Sequence, residues 1–259
     1  VTLFKEELRL FFTALQFFTR VPVPAWVGWS PAQLNASARW FPLVGVVVGA
    51  VAGGVYEAAL WLWPTSVAVL LSMAASVLLT GAFHEDGWAD SCDGFGGGGS
   101  DRPRVLAIMK DSRVGSYAVV GLVLMLGVKY QALLAVQNLS GGQFVAVSVA
   151  SHALSRAAVL WVMARLVYVR EDALAKSKPI AQGIGAGALM VGVLTAALPA
   201  ATLGGAGLAA GLACAGVAAV AVPWLRARLG GYVGDALGAT QQMAEVACLL
   251  ALLACWRGE

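Results

Sequence analysis

The chain has 259 residues, 59% of them hydrophobic and 12% charged, with a net charge of +3. A soluble domain carries about 25% charged residues, so this composition excludes an ordinary water-soluble fold. It predicts an all-α polytopic membrane protein, one membrane-embedded domain over 1–259. The two histidines and four cysteines form no CxxC and no zinc spacing, and no nucleic-acid partner is expected.

Residues 3–18 are apolar, but Lys5, Glu6, Glu7 and Arg9 interrupt the run. Those charges, with no small-residue cleavage site after them, argue against a cleavable signal peptide. The stretch is too short and too charged to span, and reads as a helix lying at the membrane surface. Arg20-Val21-Pro22-Val23-Pro24 breaks it with an extended connection. Pro31 to Arg39 forms an amphipathic approach, so 1–39 is an interfacial N-terminal segment.

Seven apolar segments follow, near 40–63, 65–83, 114–136, 143–167, 184–201, 203–223 and 239–256. A spanning helix needs about 20 residues, so the fifth and seventh are the shortest candidates. The first two join at Trp61-Leu62-Trp63-Pro64-Thr65, a tight turn with interfacial tryptophans. Gly183, Gly185, Gly187, Gly192, Gly204, Gly205, Gly207 and Gly211 predict close helix packing in the last three spans. Cys214, Cys248 and Cys255 lie in apolar runs and read as core residues.

The basic residues set an orientation. With the N-terminus inside, the inner connections hold Lys5, Arg9, Arg20 and Arg39, then Arg102, Arg104, Lys110 and Arg113. They also hold Arg165, Arg170, Lys176 and Lys178, and lastly Arg226 and Arg228. The outer loops hold none, and only Arg257 lies at the outer tail. This positive-inside asymmetry predicts a cytoplasmic N-terminus in the inner membrane, an outer C-terminus and inner loops facing cytoplasmic substrates.

The second inner connection, 84–113, carries the densest chemistry. Glu85, Asp86, Asp90 and Asp93 are four of the chain's 14 acidic residues, within nine positions. Like charges repel, so the cluster calls for a cation or for water. On a helix Asp86, Asp90 and Asp93 stand at i, i+4 and i+7, one face. Three carboxylates there suit a hard cation, Mg²⁺ or Mn²⁺. A thiolate is a poor partner for such an ion, which makes Cys92 a bystander. Gly87, Gly94 and the run Gly96 to Gly99 would let backbone, metal and a bulky anion approach.

After Asp101, Arg102 and Arg104, residues 105–109 read as a short apolar helix ending at Lys110-Asp111-Ser112-Arg113. Lys110 and Arg113 are phosphate partners, Arg113 with a fork for two oxygens, whereas Arg102 and Arg104 read as topology signals. A connection of roughly thirty residues with such turn chemistry tends to be functional. Carboxylates with a metal, glycines, then Lys and Arg are the parts of a phosphoryl-transfer site, and a greasy surround favours transfer over hydrolysis.

Ser148, Ser151, His152, Ser155 and Arg156 form a polar stripe along the fourth span. Arg156 within a span faces either a cavity or a partner carboxylate. Glu57 and Lys129, toward the outer ends of their spans, are expected to pair with each other. In the last inner loop, Asp235 either caps the seventh span or supplies a second-site carboxylate. Glu245, inside the bilayer, is a functional flag.

Four motifs carry a resemblance. The stretch Phe83 to Gly98 (FHEDGWADSCDGFGGG) and Ile108 to Tyr117 (IMKDSRVGSY) resemble signatures of the cobalamin synthase family. Leu15 to Pro24 (LQFFTRVPVP) and Gly230 to Ala239 (GGYVGDALGA) look like that family too, in the same order. Trp88 and Cys92 depart from its usual residues, at positions that are not ligands. The resemblance implies transfer of adenosylcobinamide-GDP onto α-ribazole, or onto its 5′-phosphate, with release of GMP. It implies Mg²⁺ on Asp86, Asp90 and Asp93 with Glu85 nearby. Catalytic candidates are Asp86, Asp90, Asp93, Asp111 and Asp235, and the proton acceptor among the carboxylates is left open. Lys110, Arg113, Arg156, His84, Gly96 and Gly97 are candidates for binding substrate and phosphate. Membrane lipid is the expected surround, and a homo-oligomer is left open.

Two alternatives stand beside this reading. A CDP-alcohol phosphotransferase shares the chemistry, but its pattern has Ala-Arg where this chain has Ala89-Asp90. An ion-coupled transporter using Arg156 and Glu245 would show broken helices and paired repeats, and no internal repeat is visible.

Overall fold

The computed structural model describes residues 2–139, 142–169 and 183–257. Arg170, Lys176 and Lys178, assigned above to an inner loop, lie outside the described residues. The described chain is helical: α1 (Thr2–Phe18), α2 (Pro31–Ser37), α3 (Phe41–Ala59), α4 (Thr65–Thr80), α5 (Phe83–Gly97) and α6 (Arg102–Lys110). Then come α7 (Ser116–Leu139), α8 (Phe144–Arg165), α9 (Ala186–Ala201), α10 (Gly204–Leu229) and α11 (Gly234–Trp256). The only extended pairing among these residues is an isolated bridge between Tyr168 and Tyr232.

The all-α polytopic expectation holds, while the count of seven spans is not confirmed. Among the described residues five stretches are long and apolar enough to cross a membrane: Pro31–Ala59, Ser116–Asn138, Phe144–Arg165, Gly204–Leu229 and Gly234–Trp256. A sixth arises if α4 and α5, bent by 88° at their junction, count as one broken span. Helix α9 has 16 residues; at about 1.5 Å per residue it is shorter than the ~30 Å hydrocarbon layer.

Helix α8 is the central element, packed against α3, α9, α10 and α11. Its closest neighbour is α3, and glycine makes that approach available. A Cβ on Gly45 would lie 2.3 Å from the His152 carbonyl oxygen, and one on Gly49 2.5 Å from that of Ser148. Gly53 continues the line against Val145. These three are spaced by four residues, so they form one small-residue stripe. Of the glycines assigned above to close packing, only Gly192 and Gly207 press tightly on a neighbour; Gly183, Gly185, Gly187, Gly204 and Gly205 meet nothing within 4 Å.

The stripe makes a sharp prediction. Gly49→Val forces two backbones apart and is expected to cost at least the 1–3 kcal/mol typical of an overpacked core. Gly54, with open space around it, is the control: Gly54→Ala is expected to leave the protein unchanged or stabilise it by about 0.5–1 kcal/mol. Melting in detergent measures both, and equal melting temperatures would remove the α3–α8 argument.

At one end of the bundle the chain turns sharply. Gly81 (φ 66°, ψ 33°) ends α4 in the left-handed region, and Ala82 (φ 59°, ψ 22°) repeats that conformation. For alanine this costs roughly 1–2 kcal/mol, so neighbouring contacts must hold the bend. Arg20 donates its backbone N–H to Leu79 O at 2.8 Å. The Arg20 side chain fills the space where a Cβ on Gly81 would stand. Phe17 and Phe18 of α1 pack on Phe83, and the Phe18 ring stacks on His84 at 5.5 Å. Helix α1 is itself tied down: Glu7 accepts from Arg39 at 3.1 Å and from Trp40 Nε1 at 2.9 Å, while Leu3 and Phe4 stay exposed.

The far ends of α8 and α10 meet at the same end of the molecule. Arg226 donates to Arg165 O, and Arg228 donates to Gly99 O just past α5. Arg102 lies against Gly230. Basic residues that the sequence places in separate inner connections therefore gather at one end, around α5.

Candidate functional site

The acidic stretch is a helix set across the end of the bundle, and the connection 84–113 is two helices, α5 and α6, with a short turn between them. Its buried residues are His84, Glu85, Gly87, Ala89, Ser91 and Gly94. Gly87 rests on the first turn of α11: a Cβ there would stand 2.8 Å from Asp235 O. From the other side, Gly238 lies 3.3 Å from the Gly87 Cα by the same measure. Two glycines thus bring the start of α11, with Asp235, against the acidic helix. Asp235 sits in that first turn, but the N-cap position is Val233, whose side chain makes no cap bond.

The outer face carries the acids. Asp86 is exposed, and Asp90 and Asp93 are half-buried. Glu85 and Asp86 occupy the first turn of α5, where the helix dipole favours negative charge. Asp93 has a separate task. Its Oδ2 accepts Gly115 N–H at 2.6 Å and its Oδ1 accepts Ala118 N–H at 2.9 Å, satisfying orphan donors at the start of α7. Glu85 turns inward instead, accepting Gln242 Nε2 at 3.1 Å. Among the described residues no three His, Cys, Asp or Glu side chains converge on a metal position. The four acids share a segment but not a cage.

That arrangement still fits a particular class of ion. Mg²⁺ is commonly held by one or two carboxylates plus substrate phosphates, not by an all-protein cage. Asp86 and Asp90 supply hard oxygen donors on one accessible face.

Gly96 to Gly98 are packing surface, with Gly96 and Gly97 inside α5, whereas Gly99 sits in the turn, where a Cβ would meet nothing within 4 Å. A Cβ on Gly94 would strike Met109, one on Gly96 the Tyr117 ring, and one on Gly98 Val105; Ile108 lies 3.3 Å from that of Gly97. These contacts dock α6 and the start of α7 on α5. Asp101 caps α6 by accepting Arg104 N–H at 3.5 Å. At the other end Lys110 is exposed, and Arg113 forks onto Asp111, with Nε–Oδ2 at 2.9 Å and Nη2–Oδ2 at 2.5 Å. The Arg113 side chain is 88% exposed. The hydrogen bonds from Arg113 hold the Asp111 carboxyl below its usual range, and Asp111 raises Arg113 in turn.

Beneath α5 lies a buried polar chain. Ser148, Ser151, His152, Ser155 and Arg156 are all buried, so the polar stripe of α8 faces protein. Lys129 meets Glu245 at 2.6 Å, not Glu57, which is exposed. His152 Nδ1 stands 3.5 Å from the second Glu245 oxygen. Gln241 donates to that same oxygen at 2.8 Å and to Ser155 at 3.0 Å; Gln242 links Gln241 to Glu85. Arg156 donates to His152 O at 2.8 Å. It also lines a small pocket with His84, walled by Phe17, Phe18, Phe41 and Phe83. Arg156 Nε and His84 Nε2 are buried there without a hydrogen-bond partner. Gln242 and the aromatic pair Phe17–Phe18 had no assigned role in the sequence reading. Polar side chains inside a span were the available signal for Gln242.

Comparisons with known proteins cover nearly the whole chain. The family described as cobalamin-5-phosphate synthase matches residues 10–253. An adenosylcobinamide-GDP ribazoletransferase of Leptothrix cholodnii is 52% identical over 255 residues, covering 96% of each chain. Enzymes of the same name from Shewanella amazonensis and Shewanella frigidimarina are 44% and 43% identical, over 98% and 96% of this chain and 98% and 95% of theirs. No solved structure matches. The chain belongs to the cobalamin-5-phosphate synthase family.

Proposed function

We propose that the chain transfers the cobinamide phosphate of adenosylcobinamide-GDP to α-ribazole or its 5′-phosphate, releasing GMP, in a late step of cobalamin biosynthesis. Family membership and full-length relatives of that name support this over a CDP-alcohol phosphotransferase or an ion-coupled transporter. The observation that carries the site is the exposed Asp86 and half-buried Asp90 on a helix held across the end of the bundle.

In this reading a ribazole hydroxyl oxygen bonds to the cobinamide-linked phosphorus. The bond from that phosphorus to the bridging oxygen breaks, and the oxygen leaves with GMP. A carboxylate of the α5 face or Asp235 takes the hydroxyl proton. Asp111 is committed to Arg113, so its role is to orient that guanidinium, whose N–H donors not spent on Asp111 face the phosphate oxygens. Lys110 adds a point charge beside it. Gly96 and Gly97 act at one remove, letting the start of α7 and α6 pack against the end of α5. Arg156 and His84 close the floor under the start of α5. Mg²⁺, held by Asp86 and Asp90, would neutralise the diphosphate and the departing GMP. Asp93 and Glu85 support the site through α7 and α11. The basic residues gathered around α5 support an inner-membrane protein with this face in the cytoplasm.

The test is GMP release by purified protein in detergent, given adenosylcobinamide-GDP, α-ribazole 5′-phosphate and Mg²⁺. GMP and a cobalamin product should appear together, and chelation should stop both. Folded protein that makes no such product, yet turns over a CDP-activated donor, would overturn the assignment.

A further inference from the structure

Behind the acidic face, on the opposite side of α5, the bundle leaves an apolar cleft. It lies between α5, α10 and α11, with a volume of about 630 Å³, within the range of about 300–1,000 Å³ usual for a small-molecule site. Trp88, Phe95, Val220, Trp224 and Met243 are among its walls. Val220 is 67% exposed and Met243 49%. The cleft therefore opens on the outer surface of two membrane-crossing helices, where the surrounding medium is lipid.

Two features depart from a plain greasy surface. Ser91 lines the cleft, is 5% exposed, and has a hydroxyl without a hydrogen-bond partner. An unpaired buried hydroxyl in an apolar wall is costly, so an occupant bearing an acceptor oxygen would relieve it. At the rim, the Arg228 guanidinium stands 5.6 Å from the centre of the Phe95 ring and 6.0 Å from that of Trp224, two residues of the cleft wall. Exposed Arg226 and Arg102 lie at the same end of α10. Arg228 spends one donor on Gly99 O, and a guanidinium has five. Cations at the mouth, apolar walls within and one buried hydroxyl at the back match an anionic glycerophospholipid: phosphate, chains and ester carbonyl.

We infer that this cleft binds one anionic phospholipid of the leaflet on the α5 side, its headgroup phosphate on Arg228 and an acyl chain against the reverse face of the acidic helix. The lipid would fill the wall behind α5 and brace the helix from the side opposite Asp86 and Asp90. A lipid-stripped enzyme would then keep its bundle but lose definition at α5. The brace rests on the proposed reaction for its consequence; the binding site does not.

The experiment uses the full chain in nanodiscs of phosphatidylcholine alone or mixed with phosphatidylglycerol. Native mass spectrometry after mild detergent release counts retained lipid and needs no turnover. Wild type should retain phosphatidylglycerol over phosphatidylcholine. Arg228→Gln should reduce that preference about fivefold, the value of one arginine near an anionic headgroup. Val220→Trp, at an exposed position, should leave melting unchanged and lose both lipids by filling the cleft. Should that variant fail to fold, Ser91→Val should weaken retention of both lipids without touching the headgroup preference. Equal retention of the two lipids by wild type and Arg228→Gln overturns the inference. So does a second copy of the chain cross-linked through Val220, or release of the lipid by α-ribazole. Retained lipid with no GMP formation would instead count against the proposed reaction alone.

Discussion

Asp86→Asn is expected to leave folding intact and slow GMP release by about 10²–10³-fold, the usual cost of removing one group that stabilises developing charge. Asp86 is exposed on the outer face of α5, so its neutral isostere should change stability by no more than about 0.5 kcal/mol. The neighbouring Asp93 separates from it in both respects. Both Asp93 oxygens accept backbone N–H groups at the start of α7. Asparagine keeps one acceptor and presents an amide to the other donor. Asp93→Asn should therefore cost about 1 kcal/mol of stability, as the loss of a helix cap does, with a smaller fall in turnover. Melting temperature and GMP release measured on the two variants side by side decide the matter. Wild-type turnover in Asp86→Asn would remove the acidic face from the mechanism. A larger catalytic loss in Asp93→Asn than in Asp86→Asn would return Asp93 to the reacting groups.

That contrast marks the limit of what spacing reveals. The i, i+4, i+7 placement of Asp86, Asp90 and Asp93 follows from helix periodicity alone, and the helix is there. The partner of Asp93 is the start of another helix 22 residues on, and no local pattern announces such a contact. The right-angle bend was equally hidden. The apolar run to residue 83 reads as one span because Ala82 gives no warning of a left-handed conformation. Aromatic residues of α1, distant in sequence, pack over the bend. The apolar segments, by contrast, were legible because hydropathy and length are local quantities. Helix pairing was not. Gly45 and Gly49 in α3 bring two helices to backbone contact, whereas in the glycine-rich last spans only Gly192 and Gly207 do comparable packing and most of the other glycines singled out there meet open space. Lys129 and Glu57 looked like partners by depth, but α7 packs beside α11, and Glu245 is the carboxylate within reach.

The Lys129–Glu245 pair should show the largest effect on stability. Both side chains are under 5% exposed and their charged atoms are 2.6 Å apart. Each lies many residues from either end of its helix, where an isolated charge has no water to reach. Lys129→Met leaves Glu245 with an excess negative charge, and Glu245→Leu leaves Lys129 and Arg156 with too little. Either change is expected to cost about 3–5 kcal/mol, as breaking a buried pair does. The double variant removes both charges together and should recover most of that loss, since apolar replacement of a whole buried pair is often neutral. Turnover should not follow stability. Glu245 also accepts from Gln241, which connects through Gln242 to Glu85 in the turn that carries Asp86. Losing that acceptor loosens a hydrogen-bonded chain whose members polarise and hold one another. A double variant that melts like wild type but releases GMP more slowly is the expected result. If it melts as low as either single variant, the two residues stabilise the bundle by some other route than their pairing. If it recovers both stability and rate, the polar chain ends at the ion pair and does not reach α5.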